Sequence, residues 1–330
     1  MQTRVTALLD IEQPVVLGGM AGATSPALVA AVSNAGGLGT HGCTGRSADQ
    51  IAELAAAIRD ATSRPFGFNL LLFLADEAAV DAVLSARPAV FSSAWSWPDF
   101  DLQTLFARAH AVGARVMHMV STVHEARRAA QAGADIIVAQ GTEGGGHVGL
   151  MGTMVLVPQV VRAVAPVPVV AAGGVADGSG LAAALMLGAE GVLLGTRLLA
   201  TTEAPLPQAH KEAICRSDGH DTLLTELPDV IAGNVWPGAY ARVLRTAFVQ
   251  EWLGRESEVR LNRAELSARL QRARQAGDVA NGAPLIGQDA GLIDSIQPAA
   301  DVIQRSVREA EDLLARRPAE LLGGRTASIR

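Results

Sequence analysis

Residues 115–140 read RVMHMVSTVHEARRAAQAGADIIVAQ, in which two short apolar runs flank a longer, alanine-rich amphipathic run. The amphipathic run ends at Ala132-Gly133-Ala134, a glycine stop that leads directly into the second apolar run. Two strands joined by a helical crossover pair in parallel. The stretch therefore predicts one unit of a parallel α/β sheet.

The same alternation extends over the first 200 residues. The predicted strands are Pro14–Gly18, Gly37–Thr40, Phe66–Leu71, Ala89–Ser93, Arg115–Val120, Asp135–Gln140, Val167–Ala171 and Gly191–Gly195. The predicted helices between them are Pro26–Asn34, Ser47–Asp60, Asp76–Ala86, Asp99–Val112, Thr122–Ala132, Val157–Val164 and Gly180–Leu187. Eight strands in series predict a closed TIM (β/α)8 barrel over residues 1–200, because an open doubly wound sheet usually has fewer strands.

The pattern changes after Ala200. Helices are predicted at Glu203–Arg216, Ala241–Trp252, Leu261–Gln275 and Pro298–Leu314, with a long irregular excursion at Asp218–Tyr240 and a loop at Asn281–Gly291. The end of the chain, from about Gly323, is predicted to be frayed. We expect residues 201–330 to pack on the barrel as C-terminal helical decoration and not to form an independent domain.

Composition excludes several classes of function. The 330 residues are 49% hydrophobic and 4% aromatic, with a net charge of -6 and no lysine- or arginine-rich run, which argues against a nucleic-acid partner. The two cysteines, Cys43 and Cys215, are too far apart for a metal motif, and they favour a reducing cytoplasm. No uninterrupted apolar run is long enough to predict a membrane span.

The most informative stretch for chemistry is Gly144-Gly145-Gly146-His147, which follows the sixth predicted strand. Active sites of such barrels lie at the C-terminal ends of the strands. Consecutive glycines let backbone N–H groups approach a ligand, and the histidine supplies a titratable base. A flexible glycine loop with a surface histidine is the alternative. We predict that His147 is catalytic and that the glycines contact a cofactor.

Glycine turns after other strands predict a phosphate site. Gly173-Gly174 ends the seventh strand, and Leu193-Leu194-Gly195-Thr196 ends the eighth, the two positions where these barrels often bind phosphate through backbone N–H groups. Gly18-Gly19-Met20 after the first strand would let a flat ring lie against backbone. Ordinary turns between strand and helix are the alternative for all of these glycines.

The remaining polar and aromatic candidates leave more than one interpretation open. The side chain of Asn69 on the third strand either hydrogen-bonds the edge of a ligand ring or has its hydrogen bonds satisfied within a turn. For His118 the favoured interpretation is a buried structural histidine. His41 either approaches the pocket or has no role. Trp95 and Trp97 follow the fourth strand, where they would either wall an apolar substrate pocket or lie beneath a loop.

These motifs together resemble the nitronate monooxygenase family, formerly called 2-nitropropane dioxygenases. The resemblance runs over nearly the whole chain and includes Pro65–Asn69, Gln140–His147, Ala171–Gly178, Gly195–Arg197 and Gly287–Ile293. It implies a barrel that binds flavin mononucleotide (FMN). The implied FMN contacts are Gly18, Gly19, Met20, Asn69, Gln140, Gly145, Gly146, Gly173, Gly174, Leu193, Leu194, Gly195 and Thr196. His147 matches the family's catalytic base.

The implied reaction is oxidation of a nitronate or nitroalkane by O2 to a carbonyl compound and nitrite. Gly18-Gly19-Met20 is also similar to flavin-dependent enoyl-(acyl carrier protein) reductases and NADH:quinone reductases. An NAD(P)H-dependent flavin reductase acting on quinones or enoyl thioesters is therefore the first alternative. A barrel that binds a phosphorylated ligand without redox chemistry is the second. We expect a small-molecule substrate and no metal, and the sequence leaves a homodimer open.

Overall fold

The fold is a barrel of parallel strands in the computed structural model, which describes residues 1–322. The predicted frayed end from Gly323 lies outside these residues. The strands are β1 Val15–Leu17, β2 Gly39–Gly42, β3 Phe66–Leu71, β4 Val90–Ala94, β5 Arg115–Val120, β6 Ile136–Gln140, β7 Gly146–Val148, β8 Val169–Ala172, β9 Val192–Leu194, β10 Thr222–Thr225 and β11 Tyr240–Leu244. The predicted TIM barrel is confirmed.

Eight of these strands form one sheet, in the order β1-β9-β8-β6-β5-β4-β3-β2, with parallel pairing throughout. A parallel bridge between Val16 and Leu38 brings the two ends of the sheet together, and the N–H of Leu17 donates to the carbonyl of Leu38 at 2.9 Å. All eight predicted strands are present, each within two residues of its predicted ends. β3 and β5 match their predictions at both ends.

Helices cover the outside of the barrel and continue beyond it. Their bounds are α1 Arg4–Leu9, α2 Pro26–Asn34, α3 Ala48–Ala61, α4 Glu77–Ser85, α5 Leu102–Ala111, α6 Val123–Gln131, α7 Thr153–Val164, α8 Gly178–Met186, α9 Thr196–Leu199, α10 Gln208–Arg216, α11 Leu227–Ala232, α12 Ala247–Trp252, α13 Glu256–Leu261, α14 Arg263–Ala276 and α15 Ala299–Leu322, with a 3₁₀ turn at Gln288–Leu292.

Local signals in the sequence set these boundaries. The Ser25 hydroxyl accepts from the N–H of Leu28 at 3.2 Å, and Pro26 occupies the first turn of α2. Thr122 and Glu125 form a capping box at the start of α6. Gly133 takes φ +99°, the left-handed conformation that ends α6 and sends the chain into β6.

The barrel interior is apolar at its N-terminal end. Val16, Leu38, Met117 and Val138 are at most 1% exposed and belong to one packed cluster. Helix α1, which the sequence did not predict, packs its Val5 and Leu9 into the same cluster, and Ile11 just after the helix joins them. Among the described residues, this packing fills the N-terminal end of the barrel with side chains, which leaves the opposite end, where the strands terminate, as the place for a ligand.

Several predictions for the C-terminal region are wrong in detail. The irregular excursion Asp218–Tyr240 contains β10 and α11. The helix predicted at Ala241–Trp252 begins at Ala247, because Tyr240–Leu244 is a strand paired with both β10 and β7. Two helix ends also differ: the first tail helix starts at Gln208, and the last helix continues to Leu322. The helix predicted at Leu261–Gln275 matches α14 within two residues, whereas the short α13 before it was not predicted.

The final helix packs against the outside of the barrel. Ala299, Val302, Ile303 and Val307 are buried in the same cluster as Leu181 of α8. The cluster also holds residues of α2. This packing is apolar and continuous with the layer between helices and strands.

Candidate active site

The predicted site residues lie at the C-terminal ends of neighbouring barrel strands. The N–H of Gly18 donates to the carbonyl of Leu194 at 3.0 Å, which joins the ends of β1 and β9. The Asn69 amide donates to the carbonyl of Gly19 at 3.3 Å, which joins the ends of β3 and β1. The N–H of Gly141 donates to the carbonyl of Ala172 at 2.9 Å, beside Gly173. The structure therefore brings these residues together at one mouth.

Two glycines at the mouth are required by close backbone packing. A Cβ atom at Gly19 would lie 2.3 Å from the Cβ atom of Asn69. Gly173 has φ +89°, and a Cβ atom there would lie 2.7 Å from the carbonyl oxygen of Gly141. Neither position accepts a side chain, because the neighbouring atoms belong to packed strands and loops and cannot move away from an added Cβ atom.

Free backbone donors lie where a phosphate was predicted. Within residues 1–322, no hydrogen bond uses the N–H groups of Gly174, Gly195 or Thr196. Gly174 has φ +77°, and Gly195 immediately precedes α9. Unpaired N–H groups that follow two adjacent strands are suited to bind an anionic group.

The side chains of Asn69 and Gln140 differ in their unused hydrogen-bonding capacity. The Asn69 oxygen already accepts from the Ser92 hydroxyl at 2.9 Å, and its amide bonds Gly19. The Gln140 oxygen is buried and has no hydrogen-bond partner among the described residues. A buried amide oxygen without a partner is costly, so Gln140 is the side chain best placed to meet a polar ligand atom.

His147 lies on a short strand and not in the loop that we predicted. β7 pairs antiparallel with β11, and His147 is opposite Ala241. Its Nε2 atom is 2.8 Å from Oδ1 of Asp229, and its ring stacks on Trp236 with centroids 3.3 Å apart and planes 8° from parallel. The side chains of His147 and Asp229 are 13% and 10% exposed. The imidazole is therefore held both at its edge and on one face.

The sequence reasoning missed Asp229 and Trp236, since it assigned no role to the excursion that carries them. Trp236 also contacts Phe73, with centroids 4.5 Å apart, and Trp95, with centroids 6.0 Å apart. Trp95 has φ +56°, an uncommon left-handed conformation for a bulky residue, and is 7% exposed. Trp97 is 40% exposed and meets Phe73 edge-on. An aromatic wall thus lies beside His147.

Gly145 and Gly146 are needed for the path of the backbone, one at a close contact and the other at a turn. A Cβ atom at Gly145 would lie 2.5 Å from the N atom of Gly287, so Gly145 packs against the C-terminal loop. Gly146 has φ +75° and turns the chain into β7. The same C-terminal loop binds the mouth in two further places. The N–H of Gly287 donates to the Thr196 hydroxyl at 2.9 Å, and the N–H of Gln288 donates to the carbonyl of Glu143 at 2.8 Å.

Glu143 is a third residue of the site, after Asp229 and Trp236, for which the sequence pattern predicted no role. Its carboxylate accepts from the N–H of Thr153 at 2.9 Å and from the Thr153 hydroxyl at 2.9 Å. The Thr153 hydroxyl also contacts the carbonyl of Gly173 at 2.8 Å. Because Glu143 begins the histidine loop and Gly173 begins the predicted phosphate loop, these contacts fix the two loops relative to each other.

The other histidines on the barrel strands are buried and paired. Nδ1 of His118 lies 2.8 Å from the Ser93 hydroxyl, and burial lowers the pKa of His118 to about 3. Burial also lowers the pKa of His41, whose Nδ1 lies 2.9 Å from the carbonyl of Gly42. The structural interpretation of His118 is favoured, because a ring this difficult to protonate is poorly suited to accept a proton from a substrate.

In the part of the chain that the structure describes, no group of three or more histidine, cysteine, aspartate or glutamate residues could hold a metal ion. Among the described helices, none is both long enough and apolar enough to cross a membrane.

Known proteins resemble the chain across most of its length. A family model described as Nitronate monooxygenase matches residues 2–87 and 76–309. A probable nitronate monooxygenase of Staphylococcus saprophyticus is 33% identical, over 78% of this chain and 83% of that protein. The (3aS,4S,5R,7aS)-5-hydroxy-7a-methyl-1-oxo-octahydro-1H-indene-4-carboxyl-CoA dehydrogenase of Mycobacterium tuberculosis is 38% identical, over 76% of this chain and 68% of that protein. The solved structure of FabK from Thermotoga maritima has a TM-score of 0.87 at 36% identity, over 97% of this chain and 99% of that chain.

Proposed function

Because the chain belongs to the nitronate monooxygenase family, we propose that it is an FMN-dependent enzyme that oxidises nitronates and nitroalkanes with O2 to carbonyl compounds and nitrite. One observation carries the proposal: His147, oriented by Asp229, lies at the same barrel mouth as the free N–H groups of Gly174, Gly195 and Thr196. A base and an anion cradle at one mouth are what this reaction requires.

The residues present fit FMN. The N–H groups of Gly174, Gly195 and Thr196 would bind its phosphate, and the unpartnered oxygen of Gln140 would accept from a ring N–H. Gly18, Gly19 and Met20 would bring backbone close to the ring. When bound, FMN would accept electrons from the substrate and pass them to O2.

His147 would supply the proton transfer. Nε2 of His147 faces Asp229, whereas Nδ1 has no hydrogen-bond partner among the described residues, so Nδ1 would act as the base. With a neutral nitroalkane, Nδ1 would take the proton from the carbon that bears the nitro group. The carbon–hydrogen bond breaks and its electron pair delocalises into the nitro group, which gives the nitronate. Histidine suits this step because imidazole gains and loses protons near neutral pH.

The test compares two substrates that differ by this proton. Purified protein should be yellow, and propionate 3-nitronate should drive O2 uptake with nitrite formation. The variant His147→Ala should lose about 10²- to 10⁴-fold in turnover of a neutral nitroalkane, which needs the base, and about tenfold or less with the nitronate, which arrives deprotonated. His124→Ala removes an exposed histidine on α6 and should match the unmodified protein. Absence of nitrite with every nitronate tried would reject this reaction.

A second candidate reaction is oxidation or reduction of an acyl thioester with a nicotinamide as partner. The observation that favours it is the 38% identity to a protein named as a carboxyl-CoA dehydrogenase. Anaerobic reduction of the bound flavin by NADH or NADPH, in the absence of nitronate, would support this candidate. The non-redox barrel that the sequence left open is disfavoured by membership in a monooxygenase family.

A further inference from the structure

We propose that Asp229 is the positioning residue of the active site: its carboxylate fixes the proton of His147 on Nε2, so that Nδ1 is the atom that exchanges a proton with the substrate. The inference rests on the proposed function in one respect, that His147 performs the proton transfer. The contact that carries it is the 2.8 Å approach of His147 Nε2 to Asp229 Oδ1.

The chemistry of the pair determines which nitrogen carries the proton. A carboxylate has no hydrogen to donate, so the nitrogen that faces it must be the N–H. Both side chains are mostly buried, which limits competition from water. Among the described residues, His147 is the one hydrogen-bond partner of the Asp229 carboxylate, and Nδ1 of His147 forms no hydrogen bond. The carboxylate is therefore available to one imidazole nitrogen alone.

The backbone turn after α11 positions a second residue that restricts the imidazole ring of His147. The N–H groups of Gly233 and Asn234 donate to the carbonyl of Asp229 at 2.7 and 3.0 Å, and Gly233 has φ +77°. This left-handed cap ends α11 and carries the chain to Trp236, whose indole lies flat on His147. One segment thus holds the edge of the imidazole through Asp229 and its plane through Trp236.

Holding the ring in this way serves the reaction as well as the fold. When Nδ1 accepts a proton, the imidazole becomes a cation whose Nε2–H points at a carboxylate. The charge that develops is stabilised by a group already in place, so no reorganisation is required during the step. A purely structural tie between β7 and α11 would need neither a defined tautomer nor an anionic partner, and this difference makes the role testable.

The experiment reads the tautomer directly by NMR. The holoenzyme is labelled with ¹⁵N-histidine, and its imidazole nitrogen signals are followed as the pH is raised until they stop changing. Loss of signals in His147→Gln identifies residue 147. The unmodified protein should carry the proton on Nε2. In Asp229→Asn the amide can donate to Nε2, so the proton should move to Nδ1, and kcat with a neutral nitroalkane should fall about 10- to 100-fold with little change in KM.

A matched control exists on the outer surface. His110 and Asp135 form the same type of contact, with Nε2 and Oδ2 2.7 Å apart, near the N-terminal end of the barrel strands. His110→Gln should leave both the residue-147 signals and the turnover unchanged.

Three outcomes would overturn the inference: a proton on Nδ1 of His147 in the unmodified protein, an unchanged tautomer in Asp229→Asn, or unchanged turnover in that variant. The first needs no variant and applies even if Asp229→Asn does not fold. If no nitronate gives nitrite, the proposed function fails while an Nε2 proton that moves in Asp229→Asn still supports the positioning role.

Discussion

A methyl group added at residue 195 is expected to weaken FMN binding without destabilising the barrel. A Cβ atom at Gly195 would meet one neighbour within 4 Å among the described residues, the sulfur of Met20 at 3.7 Å, which is an ordinary van der Waals distance. Gly195 has φ -107° and ψ -85°, so alanine needs no left-handed conformation, and a rotation of roughly 15–20° in each angle brings the residue into the right-handed helical range. Its N–H belongs to the cradle that we propose for the phosphate. Gly195→Ala is therefore expected to affect the binding surface for the cofactor more than the stability of the barrel.

The magnitude follows from this difference. Without FMN, the free energy of unfolding should change by about 0.5 kcal/mol or less, as for a substitution that meets no tight contact. With FMN, the extra methyl group crowds a packed contact, which costs about 1–3 kcal/mol. Since about 1.4 kcal/mol corresponds to a tenfold change in Kd, the Kd for FMN should rise roughly 5- to 150-fold.

The assay is a fluorescence titration of FMN into flavin-free protein, paired with urea unfolding of the same preparation. Gly282→Ala is the control, because Gly282 has no positive φ and lies in the C-terminal region, with the oxygen of Asp278 3.3 Å from its added Cβ atom. It should keep the FMN affinity of the unmodified protein. An unchanged Kd in Gly195→Ala would refute the proposed cradle. A loss of stability above about 1 kcal/mol would refute the inference that residue 195 has room for a methyl group.

Two further predictions concern pH and have opposite signs. Burial lowers the pKa of His118 from 6.5 to about 3, so between these pH values the unfolded chain binds a proton that the folded chain does not. The free energy of unfolding therefore decreases as the pH falls from 6.5 towards 3. In urea unfolding, His118→Gln should reduce the dependence of this free energy on pH by about 1.4 kcal/mol per pH unit. Burial raises the pKa of Asp289 from 3.8 to about 7, so stability is instead lost as pH rises between those values, and Asp289→Asn should remove that loss. A variant whose unfolding free energy keeps the pH slope of the unmodified protein would contradict the corresponding assignment.

The barrel could be predicted because its signals are local. Each unit pairs a short apolar run with an amphipathic run and a glycine stop, as at Gly133, so neighbouring residues suffice to identify it. The strand at Tyr240–Leu244 lacks this property. Ala241, Val243, Leu244 and Phe248 have spacings that suit a buried helix as well as a strand. Pairing with β10 and β7, which are distant in sequence, decides in favour of the strand.

The site could be predicted in position but only partly in residue roles. Glycine runs after strands indicate the mouth, yet glycine is needed both beside a ligand and where two backbones touch. Gly145 illustrates the limit, since it packs against Gly287, 142 positions away in the sequence. Asp229 was missed for the same reason. It lies 82 residues from His147, and nothing in its own neighbourhood distinguishes it from a surface aspartate.

The barrel and the tail supply different parts of the proposed site. The proposed cofactor contacts come from the ends of barrel strands, whereas the groups that orient His147 come from residues 222–244, through β11, Asp229 and Trp236. Changes in that segment can alter the position of the base and the aromatic wall while the strand ends that face the cofactor stay fixed. Relatives named for a nitronate monooxygenase and for a carboxyl-CoA dehydrogenase match this chain at 33% and 38% identity. The segment that a sequence pattern ranks as least ordered is thus the one we expect to select the substrate.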